Sequence, residues 1–335
     1  MMRRGALLVL LAACDSAAHD HAEPPSEPDA TTGGTSVVTF AIDSVTLGDG
    51  TGDAGWPMIG YDLDELATQA DGGTGCDPAV GEPVTSTYDG VEGRDNAFGA
   101  VVLPIVSTAL ALAHPSDDET QAAKAGNWTM QLRVTGLDGT PTQTASGLQA
   151  QLLSSDKIDG GAPAFDPSTN WPVSGDSVDG GDVSGAVAAF TDAYVAAGTF
   201  VAGATVSQAG GVTVPLHLAI GAAVLTLRVH SALVTFDVVS NDEIQNGVLA
   251  GTLDPDELAA AVQGTFFRVQ CNGDPPDNDT FYRSVDILLD RTNKTGTACT
   301  AISFAMAFHG KRIANPSIVA PPPGVVDPCA DAGGQ

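Results

Sequence analysis

Basic residues are scarce in this chain. Lys and Arg total 13 against 41 Asp and Glu, a formal charge of −28. A surface of that sign repels nucleic acid and anionic lipid headgroups, which excludes both as partners of the folded part. It favours cations or cationic partners, besides keeping the protein soluble. The acids are scattered rather than run together, which fits solvated loops and not an acidic tail. Aromatics are few as well, with 3 Trp and 4 Tyr, so a sugar-stacking surface would have to draw on Trp128 or Trp171. Among the short signatures of common enzymes, G-x-S-x-G, H-E-x-x-H and the P-loop are missing. P-loop nucleotide binding and the hydrolases that carry either of the other two signatures are thereby excluded. No apolar run reaches the roughly 20 residues that a membrane-spanning helix needs.

What is present begins with an address. In MMRRGALLVLLAAC, Arg3 and Arg4 precede a short apolar run, Ala6 to Leu11, that leads directly to a cysteine. Leu11-Ala12-Ala13-Cys14 resembles the lipobox of bacterial lipoproteins. The resemblance implies that residues 1–13 are a cleaved signal peptide and that Cys14 carries a diacylglyceryl anchor. Several acyl chains hold far better than one, so Cys14 would be the protein's attachment to a membrane. Loss of Arg3 and Arg4 leaves 11 basic against 41 acidic residues, or −30. The expected location is the extracytoplasmic cell envelope of a Gram-negative bacterium. Asp15 follows the pattern that retains enterobacterial lipoproteins at the inner membrane, but outer and inner membrane both stay open. Residues 14–35, Pro-rich, acidic and without periodicity, read as a disordered stalk. His19 and His21 belong to that spacer.

Four cysteines remain beyond Cys14, and an even number in an oxidising compartment reads as two disulfides. Of three pairings, Cys271 with Cys299 and Cys76 with Cys329 are favoured, each contributing about 3 kcal/mol by restricting the unfolded chain. No C-x2-C spacing supports zinc instead.

The folded part is expected over residues 36–318, with a Pro/Gly-rich C-terminal tail at 319–335 held by a disulfide. With 43 % hydrophobic residues the chain can build a core. Val37–Asp43 reads as a strand, and Trp128–Thr135 alternates cleanly, followed more weakly by Gly147–Ser154. Between Thr199 and Val239 three runs alternate in turn, punctuated at Gly221 and Ser231, as consecutive antiparallel strands do. Asn96–Ala113 reads as a helix kinked or delayed by Pro104. Leu253-Asp254-Pro255 opens another, running to about Val269, with Asp254 as N-cap and Pro255 at its first position. A short helix at Asp279–Leu289 and a strand at Ala301–His309 complete the pattern. The class is α+β, mainly antiparallel β and sandwich-like, with a few helices.

Two acidic loops carry the candidate chemistry. Gly60-Tyr61-Asp62-Leu63-Asp64-Glu65 sets two carboxylates two residues apart, and Asp89-Gly90-Val91-Glu92-Gly93-Arg94-Asp95-Asn96 precedes a helix. Hard cations such as calcium need six to eight oxygen ligands, which Asp, Asn and carbonyls in Gly-rich turns supply. Asp62, Asp64, Asp89, Asp95 and Asn96 are therefore the candidate metal ligands, although the spacing is not that of an EF-hand, and turns or caps also use such residues. Asn272–Asp279 has the same ambiguity. His217 and His230 are expected on neighbouring strands, close enough to approach each other.

The GYDLDELAT segment with its following cysteine, DGVEGRDNAFG, and the late SVDILLD and CTAISFAMAF segments resemble, in that order, stretches recurring in uncharacterised secreted lipoproteins of the myxobacterial type. The resemblance implies a shared fold and disulfides and carries no activity. The chain is accordingly expected to be a non-enzymatic, lipid-anchored envelope protein with a structural or binding role and no catalytic residue. The alternatives are a calcium-stabilised adhesion or glycan-binding module, with an envelope protein or a glycan as partner, and a carboxylate-dependent hydrolase.

Overall fold

The computed structural model describes residues 23–28, 34–64, 89–110, 113–203, 211–220, 223–266 and 301–321. The signal peptide, Cys14, both cysteine pairings, the Asn272–Asp279 loop and the helix read at Asp279–Leu289 lie outside the described residues.

Alternating apolar positions build a meander. Strands β1 (Val37–Thr46), β2 (Met130–Thr135), β3 (Ala145–Ser154), β5 (Ala188–Ala196) and β6 (Thr199–Gly203) pair in turn, all antiparallel. So do β8 (Ala223–Ser240), β9 (Glu243–Leu253) and β10 (Ile302–Ile313), and β10 returns to β1. The remaining edge of β6 pairs with β8, Phe200 opposite Phe236, so the sheet closes on itself as a barrel. Strands β4 (Val173–Ser174) and β11 (Val319–Ala320) form a separate parallel bridge. The α+β, mainly antiparallel class read from the sequence is the one the chain adopts. The two layers of the sandwich-like arrangement are the two sides of one closed sheet.

The barrel interior is the core. Phe200 stacks on Phe236 with ring centroids 4.5 Å apart, and Phe40 reaches Phe236 at 6.2 Å. Leu132, Ile302, Phe304 and Met306 complete the filling, each at most 1 % exposed. A closed sheet of this size leaves an interior just wide enough for side chains to occupy. Apolar side chains point inward, the reverse of the polar lumen and apolar outer band of a membrane-spanning barrel. Among the described residues, no helix is long and apolar enough to cross a membrane.

The two ends of the barrel differ. One carries short turns, such as Ala197-Gly198 between β5 and β6. The other carries the elaborations. There β7 (Val214–Ile220) pairs with the first half of β8, Leu216 opposite Leu227. At Ser231, whose φ is +49°, β8 bulges and exchanges β7 for β6 as its neighbour. Leu216, Leu218, Leu225 and Leu227 join the barrel core, so the hairpin folds over this mouth.

Three helices close the same end. α1 (Leu103–Leu110) follows a π-helical turn, Phe98–Val102. The kink expected at Pro104 takes this form because proline has no N–H for the carbonyl four residues back and its ring crowds that turn. Phe98 meets Phe304 edge-on at 5.0 Å. α2 (Pro115–Lys124) serves the end of β1: Val45 N–H donates to Thr120 Oγ1 at 3.0 Å, and Leu47 N–H to Ser116 Oγ at 2.8 Å. α3 (Pro255–Phe266) starts where the sequence places it, with Asp254 Oδ1 accepting from the Asp256 and Glu257 N–H groups at 2.9 and 3.0 Å.

Candidate functional site

Strand β1 pairs with β10 only as far as Ala307, so the first residues of β10 have an edge that β1 does not reach. Two segments, 59–64 and 94–99, fill that place. Asn96 supplies the missing partners. Its Oδ1 accepts from Ala305 N–H of β10 at 3.2 Å and from Gly99 N–H at 3.0 Å, and its Nδ2 donates to the Ile59 carbonyl at 3.3 Å. Ala97 N–H adds a bond to Ser303 Oγ at 2.8 Å. Asp95 ties the two segments together. Its N–H donates to the Tyr61 carbonyl at 2.9 Å, and its Oδ2 accepts from Leu63 N–H at 2.6 Å. Gly60 permits this approach: at φ +130° a Cβ there would lie 2.9 Å from the Asp95 carbonyl oxygen, in a conformation other residues avoid.

The outer barrel wall receives the other side of this loop. Ile59, Tyr61 and Leu63 pack on Val201, Leu233, Ala250 and Ala305, one residue from each of β6, β8, β9 and β10. The Tyr61 hydroxyl bonds Thr235 Oγ1, and burial, the largest influence, pushes its pKa up to about 12. With Tyr61 and Leu63 committed to the wall, Asp62 and Asp64 converge on Asp95, and the three offer carboxylate oxygens within 4.8 Å of one another. Asp64 is 9 % exposed and Asp95 not at all. Two unit charges at that spacing repel by about 3 kcal/mol at an effective dielectric constant near 20, so the trio favours a cation among its oxygens. Arg94 is buried beside it, donating to the Val91 carbonyl at 2.8 Å and lying 3.3 Å from Glu92.

Of the five candidate ligands, the structure therefore gathers Asp62, Asp64 and Asp95. Asp89 lies outside the group, and the Asn96 side chain is engaged with backbone.

The two histidines stand on neighbouring strands as expected, β7 and β8, but away from each other. His217 stands opposite Thr226 and His230 opposite Thr252, so they do not meet. Each takes an acid instead. His217, buried edge-on to Trp128, has Nε2 2.8 Å from Asp176 Oδ2. Burial pushes the Asp176 pKa up, but hydrogen bonds from His217 and Ser174 outweigh it and hold the carboxyl low. His230 has Nε2 2.7 Å from Glu257 and Nδ1 3.1 Å from the Thr213 hydroxyl. Trp171 is withdrawn from any sugar-stacking role, being fully buried and donating to the Asp156 carbonyl at 2.7 Å. A cleft of about 240 Å³ lies between α3 and β8, over Leu227, Leu253 and Leu258. Its Asp254 is the α3 cap and its Glu257 the partner of His230, so it holds no free acid pair.

Sequence reasoning missed one functional-looking acid, Glu119 on α2. It is 5 % exposed, and its carboxylate accepts from Ala219 N–H on β7. Burial raises its pKa to about 8, against the smaller lowering effect of that bond. The signal was its place midway between Pro115 and Ala123, the other buried residues of the helix.

No family model, curated protein or solved structure matches the chain.

Proposed function

We propose that this protein is a lipid-anchored component of a Gram-negative cell envelope, with a structural or binding role and not an enzymatic one, whose barrel wall holds a hard divalent cation through Asp62, Asp64 and Asp95. The observation that carries the cation reading is the convergence of three carboxylates from two separate segments on one point of the wall, two of them buried. All-oxygen donors of this kind suit calcium. The non-enzymatic reading is supported by the side-chain-filled lumen and by the commitment of His217, His230 and Glu257 to structural pairs. Anchoring rests on the lipobox at Cys14. A cationic or glycan-bearing envelope partner fits the charge of −28.

The test is thermal unfolding after chelation and again with calcium restored. A ligand that binds only the folded state adds about 2.7 kcal/mol at a hundredfold excess over its dissociation constant, so calcium should raise the melting temperature by several degrees. Asp95→Asn, which keeps an acceptor for Leu63 N–H while removing one charge, should shrink that rise. An unchanged melting temperature would remove the cation from the proposal. Robust turnover in a broad hydrolase screen would overturn the non-enzymatic role.

A further inference from the structure

The short stretch Glu23-Pro24-Pro25-Ser26-Glu27-Pro28 is set down on the barrel. Proline fixes φ near −65°, and a residue that precedes proline is driven to extended backbone. Glu23, Pro24 and Glu27 all precede prolines, so this sequence is biased to the polyproline helix before it touches anything. That helix repeats every three residues. Pro25 and Pro28 are half-buried, as is Pro24, while Glu23, Ser26 and Glu27 are exposed. The three-residue spacing of Pro25 and Pro28 is the one expected if a single edge of such a helix lies against a surface. The surface is Tyr194 on β5, whose hydroxyl donates to the Pro25 carbonyl. The Tyr194 ring packs in turn against the wall cluster of Ile59, Tyr61 and Leu63. A preformed proline helix laid on an aromatic side chain, with a hydroxyl reaching one of its carbonyls, is a recurring way to hold a proline-rich segment at low entropic cost.

We infer that the Tyr194 face of the barrel wall is a docking surface for the protein's own proline-rich tether, occupied by residues 23–28. The tether is acidic and so is the barrel, which leaves apolar proline faces and the single hydroxyl, not charge, to hold it. Burial and the Glu27 charge both raise the Tyr194 pKa. With Cys14 as the lipid site, a reading on which this consequence rests, docking leaves the ten residues 15–24 between Cys14 and the wall contact at Pro25. That is a reach of about 40 Å fully extended, against about 75 Å if the chain were loose as far as Ser36. The strap therefore sets how far the barrel stands from the membrane.

Tyrosine nitration, read residue by residue by mass spectrometry on the mature full-length protein, tests this. Tyr194 should react roughly fivefold more slowly than in a chain lacking residues 15–28, as for any locally protected group, with buried Tyr61 as the unreactive reference. Replacing Pro24, Pro25 and Pro28 by serine, which leaves the barrel untouched, should restore most of the deletion's rate. Equal Tyr194 rates in the intact and deleted chains would overturn the docking, and an unchanged rate in the serine variant would overturn its proline-helix basis. Protection that disappears on dilution would assign the strap to a second copy and overturn docking within one chain. The intact mass reports on the Cys14 lipid separately, so a failure of the anchor and a failure of the strap are told apart.

Discussion

Asn96→Ala is expected to destabilise the protein by roughly 3 to 5 kcal/mol, the sum of leaving several buried backbone groups without partners. Alanine removes the acceptor for Ala305 N–H and Gly99 N–H and the donor for the Ile59 carbonyl at once. These groups lie where β1 has ended and, among the described residues, no other strand completes the ladder to β10, so no main-chain partner there replaces the side chain. Urea unfolding monitored by circular dichroism reads the loss as a lower midpoint with an unchanged slope. Asn96→Asp keeps both acceptor bonds but sets a carboxylate against the Ile59 carbonyl beside three others, and should fall between alanine and wild type. A loss under about 1 kcal/mol for the alanine variant would mean that water reaches this edge and that Asn96 does not close it.

The second large effect concerns Glu119 and depends on pH. Its pKa stands at about 8 in the folded protein against 4.5 for an ordinary Glu. A raised carboxyl pKa means that the folded state keeps a proton which the unfolded chain has released. The stability linked to that proton is complete below pH 4.5 and is lost progressively as pH rises through about 8. The gap sets an upper bound of about 5 kcal/mol. Glu119→Gln keeps an acceptor for Ala219 N–H and cannot ionise. It should be close to wild type at pH 4 and more stable by a few kcal/mol at pH 9. Denaturant unfolding of both proteins across that range isolates the effect, because every other titrating group is common to them. Parallel stability curves would show that Glu119 is solvated in the native state and that α2 does not hold the β7 edge through a buried acid.

Where the determinants are local, the sequence was readable. The cap, proline and first-turn acids at Asp254–Glu257 placed α3 at its observed start, and period-two alternation placed β2, β3 and β7, whereas the runs on either side of Ser231, read as two antiparallel strands, are one strand, β8, that bulges there. The acidic pair at Asp62 and Asp64 stood out because two carboxylates flanking an apolar residue in a tight turn form a local pattern. α2 was missed because PSDDETQAAK has almost no apolar stripe; it is held by Thr120, Ser116 and Glu119 bonding the edges of two strands. β9 was missed because its Gly247 and Gly251 interrupt the alternation. Gly247 is required where Phe308 packs, since a Cβ there would lie 2.2 Å from the ring.

By itself the sequence determined the antiparallel α+β class and the acidic composition, and it singled out Asp62, Asp64 and Asp95, which the fold brings together. Only the tertiary structure decided that β6 closes on β8, that Asp95 joins Asp62 and Asp64 while Asn96 serves a strand edge, that Glu119 is buried, and that Pro25 meets Tyr194. The reason is distance along the chain. Caps, turns and alternation act within a few residues and leave a mark there. Asn96 meets Ala305 across 209 positions and Tyr61 meets Thr235 across 174, pairings that no local propensity encodes and that exist only once the barrel has closed.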